Sequence, residues 1–141
     1  MRAVYMPAGA HAPIGIDLHT PEDFFCLAEL VQAGLDGMPA PAIVMSDGTA
    51  STLLCANTVD GVVIVMSTDD EHSYHGVTPD RDIMSGGTCT FMFMGARTPV
   101  PSRNTVSMSI AHDVVSAYFT GGFPQAMRAA AWEADQPVGV R

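Results

Sequence analysis

The sequence predicts an α+β domain in which two main α-helices pack on a mostly antiparallel β-sheet. Three observations lead to this fold class. Short apolar stretches, several of them alternating with polar residues, lie between turns rich in Gly, Pro and Asp. Two longer stretches repeat their apolar residues with helical spacing instead. Along the chain, strands are followed by a helix, several more strands and a second helix, an order typical of this class.

The first helix is the clearest local prediction. A short strand and a loop within residues 1–13, and a strand from Ile14 to Leu18, come before it. Thr20 can cap the helix, Pro21 suits its first position, and the next two acidic residues complement the helix dipole. Helical spacing continues through Phe24, Leu27, Ala28, Val31 and Leu35. Gly34 and Gly37, with Pro39 and Pro41, then stop the helix.

The middle of the chain is predicted to be rich in strands. Strands are expected at 42–45, 52–56 and 62–66, and Asp60-Gly61 is a hairpin signal between the last two. Residues 68–87 are polar and contain Pro79 and Gly86-Gly87, so they are expected to form a loop-rich excursion.

A further strand and the second helix complete the prediction. The strand is expected at 88–94, after which Pro99 and Pro101 break the chain before a short strand at 105–106. Ser109 is expected to cap a helix over 110–120 that ends at Gly121-Gly122. Residues 125–133 are compatible with helix or strand. The expected core side chains are Val63, Val65, Phe91 and Phe93 of the sheet and Phe24, Leu27, Val31, Val114 and Tyr118 of the helices.

Length and composition indicate one globular domain over residues 1–141. The chain has 141 residues, of which 48% are hydrophobic and 15% charged. It lacks an apolar run long enough to cross a membrane. Pro7 leaves the N-terminal apolar run too short for a signal peptide. The odd count of three Cys without a CxxC motif favours buried free thiols and a cytoplasmic location.

The charge balance restricts the kind of partner. The chain has 15 acidic residues, six Arg and no Lys, with a formal charge of −9. Such a protein repels phosphate, so DNA or RNA is not expected as a direct partner. Its field attracts basic proteins and speeds their association, although net charge can also serve solubility alone.

Motifs for catalysis are missing from the sequence. It contains no G-x-S-x-G elbow, no S-x-x-K and no phosphate-binding loop. His72 and His75 follow three acidic residues, but no third His or Cys is near enough to predict a metal site. Glu71 and Asp80 could act as an acid–base pair only if the fold brought them together. The sequence therefore predicts no catalytic residue, no metal and no cofactor.

The acidic segment from Asp69 to Asp82 is the most distinctive local feature. It holds five carboxylates against the single Arg81, and Tyr74 adds an amphipathic ring suited to an interface. One interpretation is a docking surface for a basic protein, and the other is a solvated loop. The expected docking residues are Asp69, Asp70, Glu71, His72, Tyr74, Asp80 and Asp82.

A set of structural motifs over residues 14–133 adds a family resemblance. Its members are the Thr20-Pro21 helix start, the strand pair at Asp60-Gly61, Tyr74-His75-Gly76, Val100-Pro101, the second helix with Thr120-Gly121, and finally Pro124 and Trp132. In this pattern the chain resembles the first immunity-protein family of bacterial polymorphic toxin systems. Pro124 and Trp132 lie further apart here than in the family, which predicts a small insertion.

The resemblance implies an antitoxin without enzymatic activity. Such proteins bind a cognate secreted toxin, often a nucleic-acid deaminase or a nuclease, and block its active site in the cytoplasm of the producing cell. A toxin that edits or cuts nucleic acid needs a basic surface. An acidic inhibitor can compete for that surface while apolar contacts supply affinity.

Two other interpretations stay open. The chain could be a small α+β enzyme or ligand-binding domain of a biosynthetic pathway, with a pocket between sheet and helices. Such a pocket is expected to use Tyr74, His72, His75 and side chains of residues 91–94. The chain could also be a structural subunit that pairs through an exposed sheet edge.

Overall fold

The computed structural model describes residues 1–33, 35, 37–68, 72–78 and 87–135. These residues form an α+β fold, as predicted. The strands are β1 (Arg2–Tyr5), β2 (Ile14–Asp17), β3 (Ile43–Ser46), β4 (Thr52–Thr58), β5 (Gly61–Ser67), β6 (Ser73–Val77), β7 (Thr88–Phe93), β8 (Ala96–Pro101) and β9 (Ala131–Ala134). The helices are α1 (Pro21–Gln32) and α2 (Met108–Arg128), preceded by a short 3-10 turn at Ser102–Asn104.

Seven of the described strands form one antiparallel sheet in the order β2-β1-β3-β4-β5-β6-β9. The sheet carries a core on each face because successive side chains of a strand point to opposite sides. Both helices cover one face, where the buried side chains include Met45, Leu53, Ile64 and Met66. The hairpin β7–β8 covers part of the other face with Phe91, which packs against Ala42, Ala56 and Val63.

Helix α1 begins where the sequence predicts. The Thr20 hydroxyl accepts a hydrogen bond from the Asp23 amide at 3.2 Å, and the Asp23 carboxylate accepts one from the Thr20 amide at 3.1 Å. The His19 amide donates to the same carboxylate at 2.8 Å. These interactions satisfy backbone donors that the first helical turn leaves unpaired.

The hairpin between β4 and β5 is confirmed, with its turn one residue earlier than expected. Thr58 pairs with Gly61, so Val59 and Asp60 form the turn. Gly61 has a φ of +147°, and a Cβ there would lie 2.8 Å from the Val106 carbonyl oxygen. Glycine is therefore needed both for the backbone conformation and for the close approach of the segment before α2.

Two strands were missed by the sequence analysis. The excursion predicted at 68–87 contains β6, an internal strand of the sheet. The segment around Pro99 and Pro101 forms β8 despite its prolines. Phe93 and Ala96 flank the two-residue turn and form the first hydrogen-bonded pair of the hairpin. Hydrogen-bonded and non-hydrogen-bonded pairs then alternate along the two strands. Pro99 and Pro101 both fall in non-hydrogen-bonded pairs, where no N–H donor is needed.

Helix α2 differs from its prediction at both ends. It is capped by Ser107, whose hydroxyl accepts from the Ile110 amide at 3.2 Å, and not by Ser109. The expected stop appears as a break at Gly122, with φ of 68° and ψ of −152°. Pro124 then lies in a further helical turn that ends at Arg128. Residues 125–133 thus contain both a helix end and the start of strand β9.

Most of the expected core is buried, with three exceptions among the named side chains. Val63, Phe91, Phe24, Leu27, Val114 and Tyr118 are buried. Val65 and Val31 are partly buried against the two cores. Phe93 is 42% exposed at the end of β7, so its prediction was wrong. Of the three free thiols, Cys55 and Cys89 are buried as expected, but Cys26 is exposed.

In the described ranges, no helix combines the length and the apolar character needed to cross a membrane.

Candidate functional site

The structure describes two of the seven predicted docking residues. Asp69, Asp70, Glu71, Asp80 and Asp82 lie outside the described residues. His72 is exposed just before β6, and its carbonyl oxygen accepts a hydrogen bond from the Thr68 amide at 3.2 Å.

Tyr74 lies within β6 and is half-buried, which corrects the expectation that it belongs to a solvated loop. It pairs with Met66 of β5 on one side and with Ala134 of β9 on the other. Its ring centroid lies 6.5 Å from that of Phe123 in α2. The ring therefore belongs to the helix-covered face of the sheet, and removing it would affect stability as well as any interface.

Strand β9 brings two carboxylates to the segment predicted to dock a partner. Glu133 pairs with His75, and the Asp135 amide donates to the Ser73 carbonyl oxygen at 2.9 Å. The side chain of Glu133 is 62% exposed and that of Asp135 is 38% exposed. Sequence reasoning missed both residues because they lie about sixty positions from their partners.

His75 lies between these two carboxylates on the sheet face opposite the helices, and only its Nδ1 is hydrogen-bonded to one of them within the described residues. Its Nδ1 lies 2.5 Å from Asp135 Oδ1, and its Nε2 lies 3.3 Å from Glu133 Oε1. The Ser73 hydroxyl donates to the other oxygen of Asp135 at 2.9 Å. We call Ser73, His75, Glu133 and Asp135 the β6–β9 cluster.

The β6–β9 cluster contains the residue types of a catalytic triad without its geometry. Ser73 donates to Asp135 and not to His75, so the imidazole is not placed to accept the proton of the serine hydroxyl. The Nε2 atom of His75 is shielded from solvent. The arrangement instead ties the last described strand to the sheet.

A cavity of about 220 Å³ lies between α1, α2 and the sheet. Its lining is mainly apolar and contains the aromatic rings of Phe24, Phe25 and His112. The other lining residues are Ala28, Glu29, Val31, Gln32, Ala40, Pro41, Ile43, Cys55, Ala56, Asn57, Val62, Met108 and Ala111. The expected pocket between sheet and helices is present, but none of the residues expected to line it does so.

Cys55 is the cysteine among the residues that line this cavity. Burial raises the pKa of its thiol to about 12. The thiol therefore stays protonated near neutral pH and has little nucleophilic character. Cys55 contributes an apolar surface to the cavity and not a reactive group.

The described part of the chain does not bring together a set of metal ligands. No group of three or more His, Cys, Asp or Glu side chains there is placed to hold a metal ion.

Comparison of the chain with protein-family models, with curated proteins and with solved structures finds no match.

Proposed function

We propose that this chain is an immunity protein that binds and neutralises a basic secreted toxin in the cytoplasm of the cell that produces both. The toxin class proposed is a nucleic-acid deaminase or nuclease. The chain acts by covering the active site of its partner and has no catalytic role of its own.

The observation that carries this proposal is the concentration of negative charge. The chain has a formal charge of −9 and no Lys. The pairing of β9 with β6 places Glu133 and Asp135 beside the strand that follows Asp69, Asp70 and Glu71 in the sequence. A basic partner that docks along β6 and β9 would thus meet the side chains of Glu133, 62% exposed, and Asp135, 38% exposed.

The physical argument joins this charge to the chemistry of the target. An enzyme that acts on nucleic acid must attract phosphates, so its active site is surrounded by positive charge. Carboxylates of an inhibitor compete with phosphate for that surface and accelerate the encounter. Tight binding then depends on apolar and aromatic side chains that are desolvated at the centre of the interface.

The test purifies the product of the adjacent gene as the proposed toxin and assays its activity on nucleic acid with and without this chain. Glu133→Gln should slow association and weaken its dependence on salt, because a charge at the rim acts mainly on the encounter rate. Glu22→Gln is the matched control, since Glu22 is an exposed carboxylate in the first turn of α1.

The triple change Asp69→Asn, Asp70→Asn and Glu71→Gln tests the segment named by the sequence. It should reduce the association rate more than Glu133→Gln does. Unchanged association of both variants at low salt would contradict the proposed surface. Unchanged toxin activity with the unmodified chain in excess would contradict the proposed function.

A further inference from the structure

The cavity between α1, α2 and the sheet is large enough for a small organic molecule. Its volume of about 220 Å³ exceeds the roughly 150 Å³ of an engineered apolar cavity that accepts benzene. It is smaller than the roughly 300 to 1,000 Å³ of pockets that take drug-sized ligands. A compact molecule with one or two fused rings matches this size.

Aromatic side chains form one wall of the cavity. The rings of Phe24 and Phe25 meet edge to face, with centroids 5.6 Å apart and an angle of 77° between their planes. His112 stacks on Phe25 with centroids 3.8 Å apart and an angle of 19°. All three rings line the cavity, and aromatic rings favour edge-to-face or offset-stacked contacts with a flat aromatic guest.

Apolar side chains of the sheet and of α2 form further parts of the cavity wall. Ile43, Cys55 and Val62 are buried on the helix-covered face of the sheet, and Ala111 is buried on α2. Met108, which is 52% exposed, also lines the cavity, and its flexible thioether can adapt to a ring. A guest would therefore leave water for a surface that offers mostly dispersion contacts.

The one carboxylate of the described cavity lining disfavours an anionic guest. Glu29 is the one carboxylate among the lining residues, and the described lining contains neither Arg nor Lys. Gln32 and Glu29 are exposed, and Asn57 is half-buried, so polar groups are also available to a guest that carries a hydrogen-bond donor. A neutral or cationic ligand fits this lining better than an anionic one.

We propose that this cavity is a binding site for a small, flat, aromatic molecule that is neutral or cationic. The site lies on the helix-covered face of the sheet, whereas the β6–β9 cluster faces the other side. A ligand in the cavity and a protein partner at the β6–β9 cluster would therefore bind on opposite faces of the sheet.

The test measures binding of three related probes by calorimetry: indole, tryptamine and indole-3-acetate. Indole and tryptamine should bind, and indole-3-acetate should bind at least about tenfold more weakly because its carboxylate would lie near Glu29. Glu29→Gln should reduce the difference between tryptamine and indole-3-acetate. Equal binding of all three probes, or no binding of indole, would overturn the proposal.

A substitution that fills the cavity locates the site. Ala28→Leu places a larger side chain in the cavity from α1 and should weaken indole binding at least about tenfold. Ala33→Leu is the matched control because Ala33 is exposed at the end of the same helix and does not line the cavity. Equal loss in both variants, or none in Ala28→Leu, would contradict the assignment.

A second measurement uses the unmodified protein, so its result does not depend on whether a variant folds. Methyl spectra should show indole-induced shifts at Ile43, Val62 and Ala111, which line the cavity. Leu53, which is buried in the same core but does not line the cavity, should shift less. Shifts concentrated elsewhere on the protein would overturn the proposed site even if indole binds.

Discussion

The hydrogen bonds of the Tyr118 hydroxyl provide a quantitative test of how α2 is fixed to the sheet. Tyr118 is 1% exposed, and its hydroxyl donates to the carbonyl oxygen of Ser51 at 3.0 Å. The same hydroxyl lies 3.1 Å from the Ser51 side-chain oxygen. Ser51 is itself 5% exposed and precedes β4, so the contact joins α2 to the turn between β3 and β4.

Tyr118→Phe keeps the buried ring and removes only the hydroxyl. The Ser51 carbonyl oxygen would lose this partner in a site that water reaches poorly, and such a loss costs about 1 to 3 kcal/mol. We expect the free energy of unfolding to fall by about 2 kcal/mol, which lowers the melting temperature by several degrees in a domain of this size. Denaturant melts measure the first quantity and calorimetry the second.

Three further variants separate the hydrogen bond from other effects. Ser51→Ala leaves the carbonyl bond in place and should be milder, and the double variant should be less destabilised than the sum of the single ones. Tyr5→Phe is the matched control, because the structure shows no hydrogen bond of the Tyr5 hydroxyl within the described residues. A loss below about 0.5 kcal/mol for Tyr118→Phe, similar to the usual effect of a surface change, would refute the reasoning.

The pH dependence gives an independent check on the same residue. Burial raises the pKa of Tyr118 above its ordinary value near 10. The unfolded chain therefore loses this proton first as the pH rises, so the stabilising effect is complete below about pH 10 and declines above it. Tyr118→Phe should make the decline in stability above about pH 10 shallower than in the unmodified protein.

Four other substitutions test the packing and the helix cap. Gly76→Ala should cost about 1 to 3 kcal/mol in denaturant melts, because its Cβ would clash with the side chain of Ile64; an unchanged midpoint would contradict the register of β6. Phe91→Ala should cost about 3 to 5 kcal/mol and Phe93→Ala less than about 1 kcal/mol, and the reverse order would mean that β7 presents its other face to the sheet. Hydrogen bonds from the backbone amides of His19 and Thr20 lower the pKa of Asp23 in the folded protein. Its contribution to the free energy of unfolding is therefore complete above about pH 4 and is lost as the pH falls through its pKa in the folded protein. Asp23→Asn should therefore flatten the acid side of the stability profile, and an unaltered profile would argue against the capping box.

The parts of the fold that the sequence predicted well depend on neighbours in the chain. The start of α1 needs only Thr20, Pro21 and Asp23, which lie within one helical turn. The hairpin before β5 likewise depends on a turn and two adjacent apolar strands. Such interactions leave a pattern that can be recognised without knowledge of the tertiary structure.

The parts that were missed depend on distant residues or on exceptions to local preferences. Strand β6 is short and polar, and its pairing with β9 joins residues about sixty positions apart. Strand β8 contains two prolines that are tolerated only because of their place in the hairpin register. The cavity depends on the separation between α1, α2 and the sheet, a distance that no local pattern encodes.

The proposed docking surface was predicted in part. The sequence drew attention to His72 and Tyr74 through the acidic residues around them, but it could not show that Tyr74 packs towards Phe123. Nor could it show that β9 adds Glu133 and Asp135 beside the same strand. Charge can be counted from a sequence, whereas the convergence of charges requires the fold.

The most direct test of the central claim is the association of this chain with the proposed toxin, sought as the product of the adjacent gene, measured at low and high salt. The account predicts a stable complex in which the toxin loses its activity on nucleic acid, with association that slows as salt is added. Absence of a complex at low salt, or a complex in which the toxin stays fully active, would contradict it.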